Sequence, residues 1–368
     1  MTHTDPLPFR ATLEQYQQQA DALFDALKSG DEAVEWRFKW EHPRFRGTSV
    51  DDVRAATLDL SDAQVVVARE YGFENWAHLT AFADSVKSDG PVVRFETAVD
   101  AVVSGDVLRL RSLLHEYPEL ARARSTRRHH ATILHYVGAN GVEGYRQRTP
   151  GNVLDVAQIL LDAGTEVDAL ADMYDEQCTT MSMLVSSSPP DEAGLQTALA
   201  EKLLDHGAAL DGRGSKWHSA LTTALVFGFL TTAEMLVRRG AQLDNIAPLA
   251  GLGRLEETIR LLPTADSESR HIALALAAQH GHVDVVRVLL DAGEDPNRYN
   301  PDGFHSHATP MHQAVASDHA HVVRLLADRG ARLDIRDTIY QGTPLDWAIY
   351  LKRAAIADFL SAGGATSS

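Results

Sequence analysis

The chain has 368 residues, and its apolar content of 44% with 23% charged residues is typical of a folded protein rather than a disordered one. Its 34 basic and 51 acidic side chains give a formal net charge of −17, which repels phosphate backbones and anionic lipids and argues against nucleic acid or a membrane as partner. The single cysteine, Cys178, excludes an intrachain disulfide and with it a secreted disulfide scaffold.

The start of the chain bears on localisation. Residues 1–10 lack the apolar core of a signal peptide, and no run of about 18 apolar residues occurs in the sequence. We therefore expect a cytoplasmic protein with no membrane-spanning segment.

An N-terminal helical module is predicted over residues 1–90. Its first helix covers about 11–28 and carries one apolar stripe, formed by Leu13, Tyr16, Ala20, Leu23, Phe24 and Leu27. Ser61 and Gln64 have the spacing of a capping box for a second helix that ends at Gly72. On a third short helix the inward-facing residues are Trp76, Leu79 and Phe82.

From about residue 91 one phrase returns along the chain: an apolar pair, a short polar stretch, Gly-Ala or a close equivalent, and then Asp or Asn. Clear copies are LLDAGTEVDA at 160–169, LLDHGAALDG at 203–212, LVRRGAQLDN at 236–245, LLDAGEDPNR at 289–298 and LLADRGARLD at 325–334. With weaker copies, the second apolar residue falls at 114, 161, 204, 236, 262, 290, 326 and 360. The steps between these positions straddle about 33 residues.

A second phrase opens a short amphipathic helix before this one. It reads ATILHYVGANG at 131–141, ATPMHQAVASDHAH at 308–321 and GTPLDWAIYLKR at 342–353. Thr309 and Thr343 are candidate N-caps, and the prolines that follow them suit the first helical position, where a missing N–H costs nothing.

The second helix of each repeat is also marked. At 283–293 it is predicted to bury Val286, Leu289 and Leu290 and to end in a left-handed cap at Gly293. Because helices of about ten residues are marginal alone in water, each pair must be stabilised by its neighbours.

These residues resemble the ankyrin family, in which TPLH-like openings alternate with second helices of the form GHxDVVxLLLxAGA. The resemblance extends from near Arg94 to Gly364 and is strongest at 282–365, whereas 248–263 is similar to a truncated repeat with little hairpin. It implies an all-α ankyrin-repeat solenoid of about seven to eight repeats, some degenerate, over 91–365, followed by a disordered tail at 366–368. In this family the hairpin tips and first helices form a concave groove, most often used to bind protein.

The module has a resemblance of its own. Residues 62–82, DAQVVVAREYGFENWAHLTAF, resemble the helical segment found ahead of bacterial ankyrin arrays, which indicates a bacterial protein. We interpret the module as a capping domain over the first repeat. A helix-turn-helix DNA reader is the alternative, and the acidic charge argues against it.

Two insertions, at 142–152 and 186–194, lie between the first and second helices of their repeats and are expected opposite the hairpin tips. The first is either a recognition edge or a solvated loop tied back by its own arginines. The residues concerned are Glu143, Tyr145, Arg146 and Arg148.

The hairpin tips carry aromatic and ionisable residues where plain turns need only Gly, Asn and Asp. Such residues suit a binding groove, with the aromatic ones as expected hot spots. The predicted groove residues are Arg128, His129, Tyr174, Lys216, Trp217, Phe304, His305, His307 and Tyr340.

An enzyme or small-molecule-binding protein is the alternative. A carboxylate beside a histidine can perform acid–base chemistry, as in a hydrolase, lyase or isomerase. Adjacent tips of the second to fourth repeats provide the catalytic candidates His130, Asp175, Glu176 and His218. Their convergence over a closed concavity would favour an enzyme, and their spread along an open face would favour a binding protein.

Seventeen histidines raise the question of a metal site, and His305, His307 and His312 have superficial ligand spacing. We predict neither a metal nor a cofactor, and we interpret His135 and His312, at the TPLH position, as structural. Acidic neighbours predict that the thiol of Cys178 is unreactive. The sequence therefore predicts a groove that binds a partner, protein rather than a small molecule, and an acidic chain favours a partner with basic residues.

Overall fold

The structure is a computed structural model that describes residues 6–211 and 219–364. The chain divides into two compact units, residues 1–215 and 216–368. The described residues of both units are mainly α-helical, and those of the first also contain a two-stranded antiparallel sheet. The predicted all-α class is confirmed.

Five α-helices form the N-terminal module of the first unit: α1 Leu13–Lys28, α2 Glu32–Glu41, α3 Val50–Ala55, α4 Leu60–Glu70 and α5 Trp76–Ser85. A 3₁₀ turn at Pro43–Phe45 joins α2 to α3. The helices share one core, whose fully buried members include Tyr16, Phe38, Val66, Phe73 and Leu79. The apolar stripe predicted on the first helix therefore faces this core.

The N-cap predicted for the second helix of the module, which is α4 in the structure, is wrong. Asp59, not Ser61, is the N-cap, and its carboxylate accepts hydrogen bonds from the amides of Ser61 and Asp62. Asp62 completes the capping box by accepting from the amide of Asp59 at 2.8 Å. Gln64 instead donates to the side chain of Gln17 on α1. A carboxylate cap two residues earlier outcompetes the serine because it also stabilises the positive end of the helix dipole.

The rest of the first unit consists of helical pairs and hairpins. The α-helices are α6 Pro91–Ser104, α7 Val107–Glu116, α8 Val153–Asp162, α9 Thr180–Leu184, α10 Ser188–Glu192 and α11 Gln196–Asp205. The 3₁₀ helices are Pro118–Arg122, Ile133–Gly138 and Gly144–Arg146, and the strands are β1 Ala171–Met173 and β2 Glu176–Cys178. The helix predicted at 131–141 is thus a 3₁₀ helix, which ends at Ala139 in a left-handed conformation.

The first insertion, 142–152, is tied back by one of its own arginines, as one of the two predictions had it, since Arg146 binds Glu96 and Asp100 of α6. It is not solvated throughout, because Glu143 and Arg146 are only 3% and 2% exposed, whereas Arg148 is exposed. The second insertion, 186–194, forms the short helix α10, with Pro190 buried and residues 191–194 exposed. Gln196 at the start of α11 donates to the carbonyls of Leu184 and Ser187. These hydrogen bonds hold the beginning of the second insertion against α11.

The described part of the second unit contains five helical pairs. They are α12 Ala220–Val226 with α13 Leu230–Arg238, α14 Ile246–Gly251 with α15 Leu255–Leu261, α16 Ser267–Gln279 with α17 Val283–Asp291, α18 Pro310–Ala316 with α19 Ala320–Asp328, and α20 Pro344–Tyr350 with α21 Ala354–Ala362. One apolar core runs through the last four pairs, from Ile246 to Leu360. Only residues 262–266 separate α15 from α16, which confirms the truncated repeat.

The predicted helix signals of this unit are confirmed with one exception. Thr309 and Thr343 form capping boxes with His312 and Asp346. Gly293 ends α17 at φ +93°. On α17, however, the fully buried residues are Val285, Val286 and Leu289, whereas Leu290 is only half-buried, because it lies toward the edge of the helix face that meets the core. Among the described residues, the helices are too short or too polar to cross a bilayer.

Candidate functional site

Two neighbouring hairpins of the first unit form the candidate site. The first finger, residues 124–132, is closed by a hydrogen bond from the amide of Ser125 to the carbonyl of Ala131 at 2.8 Å. The second finger, residues 171–178, is β1 paired with β2. Its turn residues, Tyr174 and Asp175, have φ of +53° and +65°, as required by the two-residue turns that match strand twist.

Arg124 holds the two fingers side by side. Its Nη1 donates to the carbonyl of His130 at 2.9 Å and to that of Leu170 at 2.6 Å. The amide of Asp172 also donates to the carbonyl of His129 at 2.8 Å. The fingers are therefore one rigid surface rather than two independent loops.

The N-terminal module contacts both fingers. The amide of Arg128 donates to the carbonyl of Gly72 at 2.9 Å, and Arg46 forms an ion pair with Asp175 at 2.7 Å. Gly72 is required at this contact, because its φ is +81° and a Cβ there would lie 2.9 Å from Cδ of Arg127. Module and fingers thus present contiguous surface within the first unit.

The structure pairs the catalytic candidates differently from the prediction. Nδ1 of His130 lies 2.8 Å from Oδ2 of Asp172, which was not a predicted site residue. Asp175 is bound to Arg46, and Glu176 is exposed on β2 opposite Met173. The predicted His218 lies outside the described residues. Alternation along β1 could have identified Asp172, since it is the exposed residue between buried Ala171 and Met173.

The predicted groove residues of the first unit also separate. Arg128 and Tyr174 are exposed, and the Tyr174 hydroxyl donates to Oδ1 of Asn140 at 2.5 Å. His129 is only 3% exposed, so its prediction as a groove residue is wrong. Its Nδ1 accepts from the amide of Ala131, which turns the ring inward. Lys216 and Trp217 lie outside the described residues.

Beneath the fingers lies a buried charge cluster, defined here as Glu96, Arg127, Glu143 and Arg146. The guanidinium of Arg127 contacts the carboxylates of Glu96 and Glu143. Arg146 binds Glu96 at 2.6 Å and, at the edge of the cluster, Asp100 at 2.6 Å. Each side chain of the cluster is at most 3% exposed. Charges at this depth are retained only when they are paired.

The cluster also connects the module to the first repeats. Nε of Arg127 donates to the carbonyl of Tyr71 at 2.9 Å, and Tyr145 packs against the ring of Tyr71. Burial by itself raises the pKa of Glu143, but Arg127, followed by His129 and then Arg146, outweighs it and lowers that pKa well below its usual value. No sequence signal marks this cluster, because its members belong to different repeats and share no spacing.

A second pair of fingers lies in the second unit, at residues 299–308 and 336–342. The amide of Thr338 donates to the carbonyl of His307 at 2.9 Å and joins them. The turn of the latter finger is built on the buried carboxylate of Asp337, which accepts from the amide of Tyr340 at 2.6 Å and from the Trp347 indole at 2.9 Å. Burial raises the pKa of Asp337, but these hydrogen bonds outweigh it and the pKa is lowered.

Aromatic side chains gather on these fingers. His307 lies 5.9 Å from the ring of Trp347 and 6.4 Å from that of Tyr340, which is 60% exposed. Phe304 is half-buried. Nε2 of His305 lies 2.9 Å from the carbonyl of Val226, so this histidine is committed to the protein itself.

The histidines with apparent metal spacing are used otherwise. Nδ1 of His312 lies 2.9 Å from the Thr309 hydroxyl, and its Nε2 lies 3.3 Å from the carbonyl of Gly342. His135 makes the equivalent contacts to Thr132 and to the carbonyl of Cys178. The structural role predicted for both is confirmed. Burial lowers the pKa of each to about 4.

Cys178 is buried where β2 ends. Burial, followed by the charge of Glu176, raises the pKa of its thiol to about 11. An unreactive thiol was predicted from the acidic neighbours alone, and the shift has the predicted direction, with burial as the larger cause.

Comparison with known families agrees with the helical pairs. Residues 274–366 match the family model described as ankyrin repeats, three copies. The chain contains ankyrin repeats. This match covers the last three fully formed pairs of the second unit, from within α16 to the end of α21, where the resemblance in sequence is strongest.

Curated ankyrin proteins are also similar. "Ankyrin repeat and KH domain-containing protein mask-1" of Caenorhabditis elegans is 26% identical over 223 residues, 58% of this chain and 8% of its own length. "Ankyrin repeat-containing protein P1E11.10" of Schizosaccharomyces pombe is 39% identical over 62 residues, 17% of this chain and 28% of its own length. "Ankyrin repeat protein nuc-2" of Neurospora crassa is 27% identical over 211 residues, 52% and 18% of the two chains.

The chain thus matches less than a third of the length of each of these relatives. All three are eukaryotic, so the bacterial origin indicated by residues 62–82 stays a prediction. Ankyrin repeats mediate protein–protein interactions in general, which is the coarse function that the similarity supports.

Proposed function

We propose that this ankyrin protein binds a protein partner through the exposed residues of its fingers. The main support is the exposure of Tyr174 and Tyr340, at 67% and 60%, on hairpin turns that need no aromatic side chain. Aromatic residues are enriched at protein interfaces and dominate their energetics. Because the first and second fingers are hydrogen-bonded to each other, little conformational entropy is lost when a partner binds them.

Tyrosine substitutions test this proposal. Tagged wild type, Tyr174→Ala and Tyr340→Ala are used to capture proteins from a lysate of the source organism, and the retained proteins are quantified by mass spectrometry. At least one partner is expected to drop tenfold or more with one of the two variants. Tyr350→Ala is the matched control, since Tyr350 is 85% exposed but lies on α20 outside the fingers. Identical profiles for all four proteins would refute the proposal.

Acid–base catalysis on a small-molecule substrate is a second candidate function. The observation that favours it is the hydrogen bond between Nδ1 of His130 and Asp172, since a neutral imidazole that donates from Nδ1 leaves Nε2 free to accept a proton. Both side chains are about half exposed, at 58% and 49%, so water is not kept out. Partner binding is therefore the better-supported function. Hydrolysis of nitrophenyl esters by wild type but not by His130→Asn would reverse this order.

Other expectations from the sequence are retained within the proposal. We infer a cytoplasmic protein that works without cofactor or metal, and whose N-terminal module caps the first repeat. Fractionation of the source organism tests the localisation directly.

A further inference from the structure

An open groove of about 570 Å³ lies between α5 of the module and the first finger. Of its apolar lining residues, Ala81 is exposed and Val92 is half-buried, whereas Phe73 and Phe82 are only 1% and 4% exposed and lie beneath the guanidinium of Arg127. Arg128 also lines it. A groove of this kind suits a side chain or short peptide segment that is apolar at one end and charged at the other.

Two other ionisable residues of the groove, Glu74 and His130, are already paired. Glu74 accepts from Nη1 of Arg69 at 3.2 Å, and His130 is held by Asp172 at 2.8 Å. The guanidinium of Arg128, in contrast, makes no hydrogen bond or ion pair with any described residue, whereas its backbone amide is fixed to Gly72. Arg128 is therefore a positioned cation with its five donors unused.

The surroundings of Arg128 disfavour a second cation. Burial comes first among the causes that lower the pKa of Arg128, followed by repulsion from Arg69 and, more weakly, Arg46. Glu41 and Glu74 attract it, but neither lies within hydrogen-bond distance. A planar guanidinium with free donors beside apolar surface has the geometry for bidentate binding of a carboxylate.

We propose that this groove binds a partner segment in which an acidic residue stands next to a large apolar residue, with the carboxylate on Arg128 and the apolar side chain against Ala81 and Val92. The inference rests on the proposed protein-binding function and specifies the partner. The net charge of −17 suggests a basic partner, and this inference reverses that preference. A carboxylate in contact with Arg128 lies well within the screening length, whereas the repulsion from distant acidic side chains is screened by salt.

Selection from a phage-displayed library of random peptides tests this inference on the full chain. Wild type is expected to enrich peptides with Asp or Glu adjacent to Leu, Phe or Trp. A peptide from that pool, measured by fluorescence anisotropy, should bind Arg128→Gln at least tenfold more weakly than wild type, and its affinity should fall with salt. Arg111→Gln removes another exposed arginine, on α7, and should bind the peptide like wild type.

A second variant excludes misfolding as the cause. Ala81→Glu adds a carboxylate on the exposed side of α5 that lines the groove, where it competes for Arg128 and repels an acidic peptide, so it should also weaken binding tenfold. Urea midpoints and circular dichroism of both variants should match wild type. Enrichment of basic peptides, absence of any enriched sequence, or equal affinity for Arg128→Gln and wild type would each overturn the inference. The proposed function would still be decided separately, by the lysate capture with the tyrosine variants.

Discussion

Replacing Arg127 by Met tests the importance of the buried charge cluster. Methionine keeps much of the length of the side chain but leaves Glu143, at 3% exposure, with Arg146 at 3.7 Å as its remaining guanidinium, whereas Glu96 keeps Arg146 at 2.6 Å. Breaking a buried ion pair from one side costs about 3–5 kcal/mol. Loss of the hydrogen bond to the Tyr71 carbonyl belongs to the same change and is not simply additive. We expect the first unit to lose about 3–5 kcal/mol of its free energy of unfolding.

Hydrogen exchange with mass spectrometry in increasing urea provides the assay. Peptides from α6, Pro91–Ser104, report on the first unit alone, which avoids treating a chain with two compact units as two-state. Arg148→Met is the control, because Arg148 is exposed and its loss should change the free energy by less than about 0.5 kcal/mol.

The pH dependence distinguishes the charge effect from loss of packing. Without Arg127, the buried glutamates take up protons more readily when folded, so the destabilisation by Arg127→Met should shrink as the pH falls from 8 toward 5. The double variant Glu143→Gln, Arg127→Met should recover part of the loss, since the charge left without a close cation is removed. A loss below about 1 kcal/mol, or a destabilisation that grows in acid, would refute the reasoning.

Three further predictions concern single residues. Burial lowers the folded pKa of His312 from 6.5 to about 4, so its contribution to the stability of the second unit is complete above pH 6.5 and is lost as the pH falls toward 4; His312→Gln should remove up to about 3 kcal/mol of that pH dependence in urea titrations. Gly281→Ala should destabilise the unit by about 1–3 kcal/mol more than Gly293→Ala, since both have positive φ but only a Cβ at 281 would meet the His319 ring, at 2.6 Å; equal losses would contradict this. The thiol of Cys178, with a pKa raised to about 11, should react with a disulfide reagent at neutral pH only after unfolding, and rapid labelling of the native chain would show the burial to be wrong.

Only part of the candidate site could be predicted from the sequence. The finger positions agree with the sequence, because turn residues that a turn does not need stand out locally; the binding role of the exposed Tyr174 and Tyr340 stays a prediction. The partner of His130 was not predicted, since Asp172 became its neighbour through pairing between two fingers that are 42 residues apart in sequence. His129 was wrongly predicted to lie at the surface, because the exposure of a loop residue depends on what packs against the loop.

What the sequence by itself determined is the repetition of short helical pairs. Thr309 and Thr343 before proline, and glycine after second helices such as α17 and α19, are signals that act within one turn of the chain, so they can be read without knowing the rest of the fold. Only the tertiary structure determined which residues of the first insertion are buried and which charges pair in the buried cluster. Arg146 meets Glu96 across 50 residues and Arg46 meets Asp175 across 129, and no local pattern encodes such contacts. Charges this far apart in sequence pair only because the packing of the fold brings them together. The charge of one residue does not indicate which opposite charge will neutralise it.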